Sequence, residues 1–382
     1  MLASLITIII ILTLVWIFLR NTKNGSTPST NNKKLKQQPL ASTGATRTSN
    51  ITAKPPINSD LASNKTVIEV PKELAELTLI TSNDMCEIQK QATLAMIRYY
   101  KKPHPMLVSL TKGYVSQQEL QEIVKSDAKI AGRILFVVNS SRFGVQQPIK
   151  DINHAIMYLG LSEVRTIATE LALKASFESS SNENEQSFSR IWQISALASS
   201  ISLELGKIIG RENASELSTL CLLHYVGDLI LLSSNPESSY LYQGGTSFYQ
   251  RVKETQLKFK TNTTLIASFA AKAWELPEVM VKDIECSVTP LTHDPNMKSL
   301  GDDDKIDIMI CYLACRIAEL AIFEQKTNVE KMNIFEQDSY VHVEFFHINN
   351  MLTDYDLTRV KNLLTANNFA YKANSLISKH LN

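Results

Sequence analysis

An uncharged run of 18 residues, LASLITIIIILTLVWIFL from Leu2 to Leu19, is followed by a stretch to Val70 with few large apolar side chains. No other feature restricts the fold so strongly, because it leaves only the residues from Pro71 onward to build a core. As an α-helix the run reaches about 27 Å, enough to cross a hydrocarbon layer. A cleaved signal peptide would carry basic residues before a shorter apolar stretch and a small-x-small site after it. Here nothing basic precedes the run, and it ends Trp16-Ile17-Phe18-Leu19-Arg20. An uncleaved single-pass anchor at residues 2–19 is therefore expected. The nearby positive charge all follows it, which puts the N-terminus outside and the body of the chain in the cytoplasm.

The net charge of +1 conceals an asymmetry. Residues 20–70 hold Arg20, Lys23, Lys33, Lys34, Lys36, Arg47, Lys54 and Lys65 against Asp60 and Glu69. The remainder keeps 31 of the 39 basic and 36 of the 38 acidic residues, so it is acidic and lacks a nucleic-acid footprint. Rich in Asn, Ser, Thr, Lys and Pro, residues 21–70 cannot bury enough apolar surface to offset the entropy of ordering. A disordered basic and polar tether is expected, with ends on the order of 40 Å apart.

From Pro71 on, the periodicity is helical. Ser116 and Glu119 make a capping box ahead of Leu120, Ile123 and Val124. Asp127 caps a helix carrying Ile130, Ala131, Ile134, Leu135 and Val138, which NSSRFG (Asn139–Gly144) stops. Asp151 opens a short helix closed by Gly160, and Ser162 is placed to cap the next. ESSSNENEQS, Glu178–Ser187, reads as a polar loop. Further helices follow: one to Gly210, one from Asn213 through His224, and later ones near 263–274, 277–286 and 305–323. Leu220, Leu223, Ile134, Leu135 and Leu171 are expected in the core. YVHVEFF, near Tyr340, alone suggests alternation, so the fold class is all-α.

The five cysteines are scattered, without a Cys-x-x-Cys, which points to a reducing compartment and not a disulfide framework. Cys311 and Cys315 share a helix face and are expected to pack, and no four-ligand zinc set is visible. There is no Gly-x-Ser-x-Gly and no phosphate-cradling glycine loop.

The pieces KPHPM, VKSDAKIAGRILFVVNSSRFG, IKDINHAIMYLGLSEVRTIA, IWQISALAS, LCLLHYVGDLIL and WELPEVMVKDI arrive in an order that resembles the HDOD domain. This is a bacterial signalling relative of the metal-dependent HD phosphohydrolases. The resemblance covers about 103–323 and implies two helical subdomains, 103–178 and 188–323. These are flanked by a helical extension at 71–102 and a C-terminal extension at 324–382. It also implies a non-enzymatic binding module with an unidentified protein partner and no cofactor, which the anchor expected at residues 2–19 would hold at the bacterial inner membrane.

Set against the HD enzymes, the ligand slots have changed. The His-Asp pair becomes His224-Tyr225, and the following lysine becomes Asp228. A slot on the preceding helix holds Ile194, a later His-His falls at Ser287 and Val288, and a carboxylate slot holds Cys315. One imidazole does not hold a divalent ion usefully, so neither a metal site nor catalytic residues are expected. As a core residue His224 would be satisfied by a backbone carbonyl. As a functional one it would face a pocket, with Asn139, Ser140 and Arg142 as candidate partner-reading residues; those three serve equally to end a helix. The competing reading is a divergent phosphohydrolase acting on a nucleotide or cyclic dinucleotide, its ligands rebuilt from His224, His293 and Asp294.

Overall fold

The computed structural model describes residues 70–98, 103–177, 184–292, 300–335, 342–348, 351–352, 362 and 367–381. The expected anchor, most of the tether, and the His293-Asp294 pair lie outside the described residues.

Among the described residues every regular element is helical. In chain order they are α1 (Lys72–Ala75), α2 (Glu87–Arg98), α3 (Pro105–Leu110), α4 (Gln117–Lys125), α5 (Ala128–Val138), α6 (Ile152–Leu159), α7 (Leu161–Phe177) and α8 (Glu185–Ile209). They continue with α9 (Ala214–His224), α10 (Val226–Ser234), α11 (Phe248–Phe259), α12 (Thr263–Ala273), α13 (Glu278–Cys286), α14 (Asp302–Phe323) and α15 (Asn367–Leu381). The one stretch that suggested alternation forms a 3₁₀ turn at Val343–Phe345 where it is described.

Local chemistry sets these boundaries. The Ser116 side chain accepts from Glu119 N while the Glu119 carboxylate accepts from Ser116 N, a closed capping box. Asp127 and Asp151 cap α5 and α6 by accepting from Ile130 N and His154 N. Helix α8 stops at Gly210, whose φ of 82° lies in the left-handed region that glycine enters at little cost. Two expectations need correction. Ser162 falls inside the first turn of α7 and does not cap it, because the helix already begins at Leu161 after Gly160. The polar loop also ends earlier than composition suggested: Glu185–Ser187 are helical, with Ser187 packed against the protein.

One continuous apolar cluster runs through these helices. Helix α8 is its axis, packed by α9, α14 and α15, while α7 rests on α3, α5, α6 and α9. Ile134, Leu171, Leu220 and Leu223 are buried as expected. Leu135 is only half-buried, since the inward stripe of α5 runs Ile130, Ile134 and Val138, and Leu135 sits at its margin. The stretch Ala214–Ser234 has the length and hydropathy to cross a membrane, but 89% of its apolar window is buried inside the protein. It is the central core element of the fold, broken once at Tyr225.

Candidate functional site

The break between α9 and α10 puts His224, Tyr225 and Asp228 deep in the interior, each 5% exposed or less. Helix α14 supplies the facing wall. Along its buried side Cys311, Cys315 and Glu319 recur at four-residue spacing, with Tyr312 and Arg316 beside them. Helix α11 contributes Phe248 and Arg251, and the end of α13 contributes Ser287.

The tautomer of His224 follows from its neighbours. The Ser287 hydroxyl donates to Ile284 O (2.7 Å) and stands 2.8 Å from His224 Nδ1, so it accepts from that nitrogen. The proton is therefore on Nδ1, and the Nε2 lone pair faces Nη2 of Arg316 at 3.4 Å. The partner is a side-chain hydroxyl and not the expected backbone carbonyl. Burial keeps the ring below the ordinary histidine range, which favours the neutral form.

Arg316 is the centre of the network. Its Nη2 also lies 3.0 Å from Glu319 Oε1 and 3.4 Å from Tyr225 Oη, and its Cζ stands 3.2 Å from the centroid of Phe248. The same Glu319 oxygen accepts from Arg251 Nη2 and lies 3.1 Å from Tyr225 Oη. Burial would raise Glu319, but the two guanidinium groups outweigh it and hold the carboxylate below its usual range. Asp228 accepts from Tyr242 Oη at 3.0 Å, and burial lifts it to about 6. Glu319 thus pairs with both buried guanidinium groups, and the charge of Asp228 acts on Arg251 without a direct contact. Next to the network lies a cavity of about 380 Å³, with Ser247, Arg251, Arg316, Glu319, His342 and Glu344 in its wall.

Could this place hold a divalent metal of the HD type? The described residues do not fit one. The single lone pair of His224 points at a fixed cation, Tyr225 is bound to Glu319 and the Cys315 carbonyl (3.2 Å), and Ser287 has used its proton. Ile194 lies buried in the apolar core. Sequence reasoning missed Arg251, Arg316 and Glu319. The signal was present for two of them: CRIAELA sets an arginine and a glutamate three apart in the otherwise apolar part of the helix from Ile308 to Phe323.

The other candidates sit elsewhere. Asn139 is exposed, and its amide closes the loop after α5, donating to Leu135 O (2.7 Å) and Ile149 O (2.8 Å) and accepting from Ile149 N (2.7 Å). Ser140 donates to Val137 O at 2.6 Å, and Arg142 reaches Ser200 on α8 at 2.8 Å. Among the described residues no hydrogen bond or ion pair joins this turn to His224. Another group does converge unexpectedly: the sulfurs of Cys221, Cys311 and Cys315 all lie within 4.8 Å of one another.

Comparison with known proteins gives a consistent picture. Residues 105–290 match the model of the HDOD domain. An uncharacterized protein of Treponema pallidum (strain Nichols) is 24% identical over 174 residues, 44% of this chain but only about a third (33%) of that relative's length. The crystal structure of an HDOD domain protein of unknown function from Geobacter sulfurreducens superposes with a TM-score of 0.51 at 17% identity, covering 73% of this chain and 98% of that one. One from Marinobacter aquaeolei VT8, provisionally described as a signal transduction protein, also gives 0.51, at 13% identity over 80% of this chain and 68% of that one. These likenesses establish the all-α fold, and residues 105–290 are similar to the HDOD domain.

Proposed function

We propose that the protein is a non-enzymatic signalling module, held at the bacterial inner membrane by residues 2–19, whose HDOD domain acts by binding a protein partner. The observation that carries this reading is the guanidinium of Arg316 against Nε2 of His224. Where an HD enzyme needs a metal to lower the pKa of a bound water, this chain has a cation with no open coordination position. The Arg316–Glu319–Arg251 cluster fixes α14 to α11 and turns the ancestral centre into a structural clamp. The provisional description of the Marinobacter relative agrees with a signalling role.

The test is an anaerobic hydrolysis assay of the full chain on cyclic dinucleotides and nucleoside phosphates, with Mn²⁺, Mg²⁺ or Fe²⁺ added, beside His224→Ala. No turnover is expected in either protein. Metal-dependent turnover that disappears in the variant would establish the phosphohydrolase reading, with ligands drawn from His224, His293 and Asp294. The binding role has its own check. Arg142→Glu should weaken capture of a partner from native membranes without altering the helical spectrum, and unchanged capture would remove the Asn139–Arg142 turn from the interface.

A further inference from the structure

Three of the chain's five cysteines meet in its core. Cys221 comes from α9, and Cys311 and Cys315 come from successive turns of α14. All three are fully buried, and their sulfurs lie within 4.8 Å of one another. A free buried cysteine ordinarily packs as a small apolar side chain, touching whatever surrounds it. Here two helices instead aim all three sulfurs at one point. With metal–sulfur bonds of about 2.3 Å, the sulfurs of a trigonal set stand roughly 4 Å apart, so modest closure would seat an ion between them.

We propose that Cys221, Cys311 and Cys315 form a three-sulfur binding site for a soft d¹⁰ cation, copper(I). Thiolate donors select such ions over hard ones. Zinc is the poorer match because it takes four donors in structural sites. The imidazole one turn beyond Cys221 is not free to supply the fourth, since both nitrogens of His224 are engaged by Ser287 and Arg316. Binding involves no electron transfer: copper enters as Cu(I), and each thiol that ligates it releases its proton to solvent. The resulting negative charge is accommodated by the buried Arg316 guanidinium on the same helix. The three sulfur ligands are not members of the proposed clamp, which shares with the site only the nearby charge of Arg316.

The experiment uses the full chain in detergent, purified anaerobically, with copper(I) as the probe. Because the triad is buried, loading is done both by titration and by expression in copper-supplemented medium. About one copper per chain is expected, with X-ray absorption showing only sulfur scatterers at about 2.3 Å. Cys221→Ala and Cys315→Ala should each weaken copper binding at least about tenfold while the far-ultraviolet spectrum stays helical. Cys86→Ala and Cys286→Ala should bind as the parent does. If a triad variant fails to fold, the absorption spectrum of the parent protein decides the matter alone. Absence of copper after both loading routes, nitrogen or oxygen in the first shell, or binding that survives Cys221→Ala would overturn the proposal. Preferential retention of zinc from an equimolar mixture would overturn the choice of ion.

Discussion

Asp228 shows how much one residue's environment departs from what its type suggests. In the unfolded chain its carboxyl titrates near 3.8, whereas burial raises it to about 6 in the fold. A carboxylate whose folded pKa is raised weakens the fold at high pH, and the loss is relieved as pH falls through about 6 toward 3.8. Asp228→Asn can still accept from Tyr242 and avoids that cost. The variant should exceed the parent by up to about 3 kcal/mol at pH 7–8, with the advantage fading toward pH 4. Urea unfolding across that range measures it; an advantage that grows on acidification would show that the sign is wrong. His224 titrates in the opposite sense. Its ring is held below the usual range by burial, so protonation of the unfolded chain below about 6.5 draws stability away as pH falls.

Helices α10 and α12 approach more closely than side chains allow. A Cβ on Gly227 would stand 1.7 Å from the carbonyl oxygen of Thr263 and 3.0 Å from the backbone nitrogen of Ala267. The glycine of the HYVG stretch is there for helix packing, and the atoms it would strike are backbone, which cannot swing aside. Gly227→Ala should therefore cost about 3 kcal/mol or more, and unfolding within 0.5 kcal/mol of the parent's would refute the close approach. Burial on neighbouring elements grades other substitutions. Leu223, 1% exposed at the heart of α9, should lose about 2–5 kcal/mol on truncation to alanine. Leu135, at the margin of the α5 stripe, should lose clearly less. Equal losses at the two positions would mean that the inward face of α5 is misplaced.

For the molecule as a whole, the question is how the helical body is held in the cell. Helix-forming sequence that is apolar enough to cross a membrane occurs twice, at Leu2–Leu19 and at Ala214–Ser234, and the second is core. A span is accordingly proposed only for the first. On that proposal, the basic residues that follow the span would orient the body toward the cytoplasm. A reporter active only in the cytoplasm, fused after Asn382, should be active. An exported reporter, or a mature N-terminus beginning beyond Leu19, would reverse the topology.

Helix content, most caps and the core stripes were legible from residues alone, because 3.6-residue periodicity and capping side chains are local and act before any distant contact forms. Ser116 with Glu119, Asp127, Asp151 and Gly210 each stand where their chemistry required. That Tyr225 follows His224 where the HD enzymes have an aspartate was also legible, since it is a matter of residue identity. What replaced the pattern was not. Arg251, Arg316 and Glu319 come from helices separated by up to 68 positions in sequence, and only packing brings their charges together. Cys221 lies 90 positions from Cys311, so spacing along α14 could show two sulfurs but never the third. Sequence dictated the elements because their forces are short-range along the chain. The site was decided by tertiary structure because burial and charge pairing depend on which helix faces which.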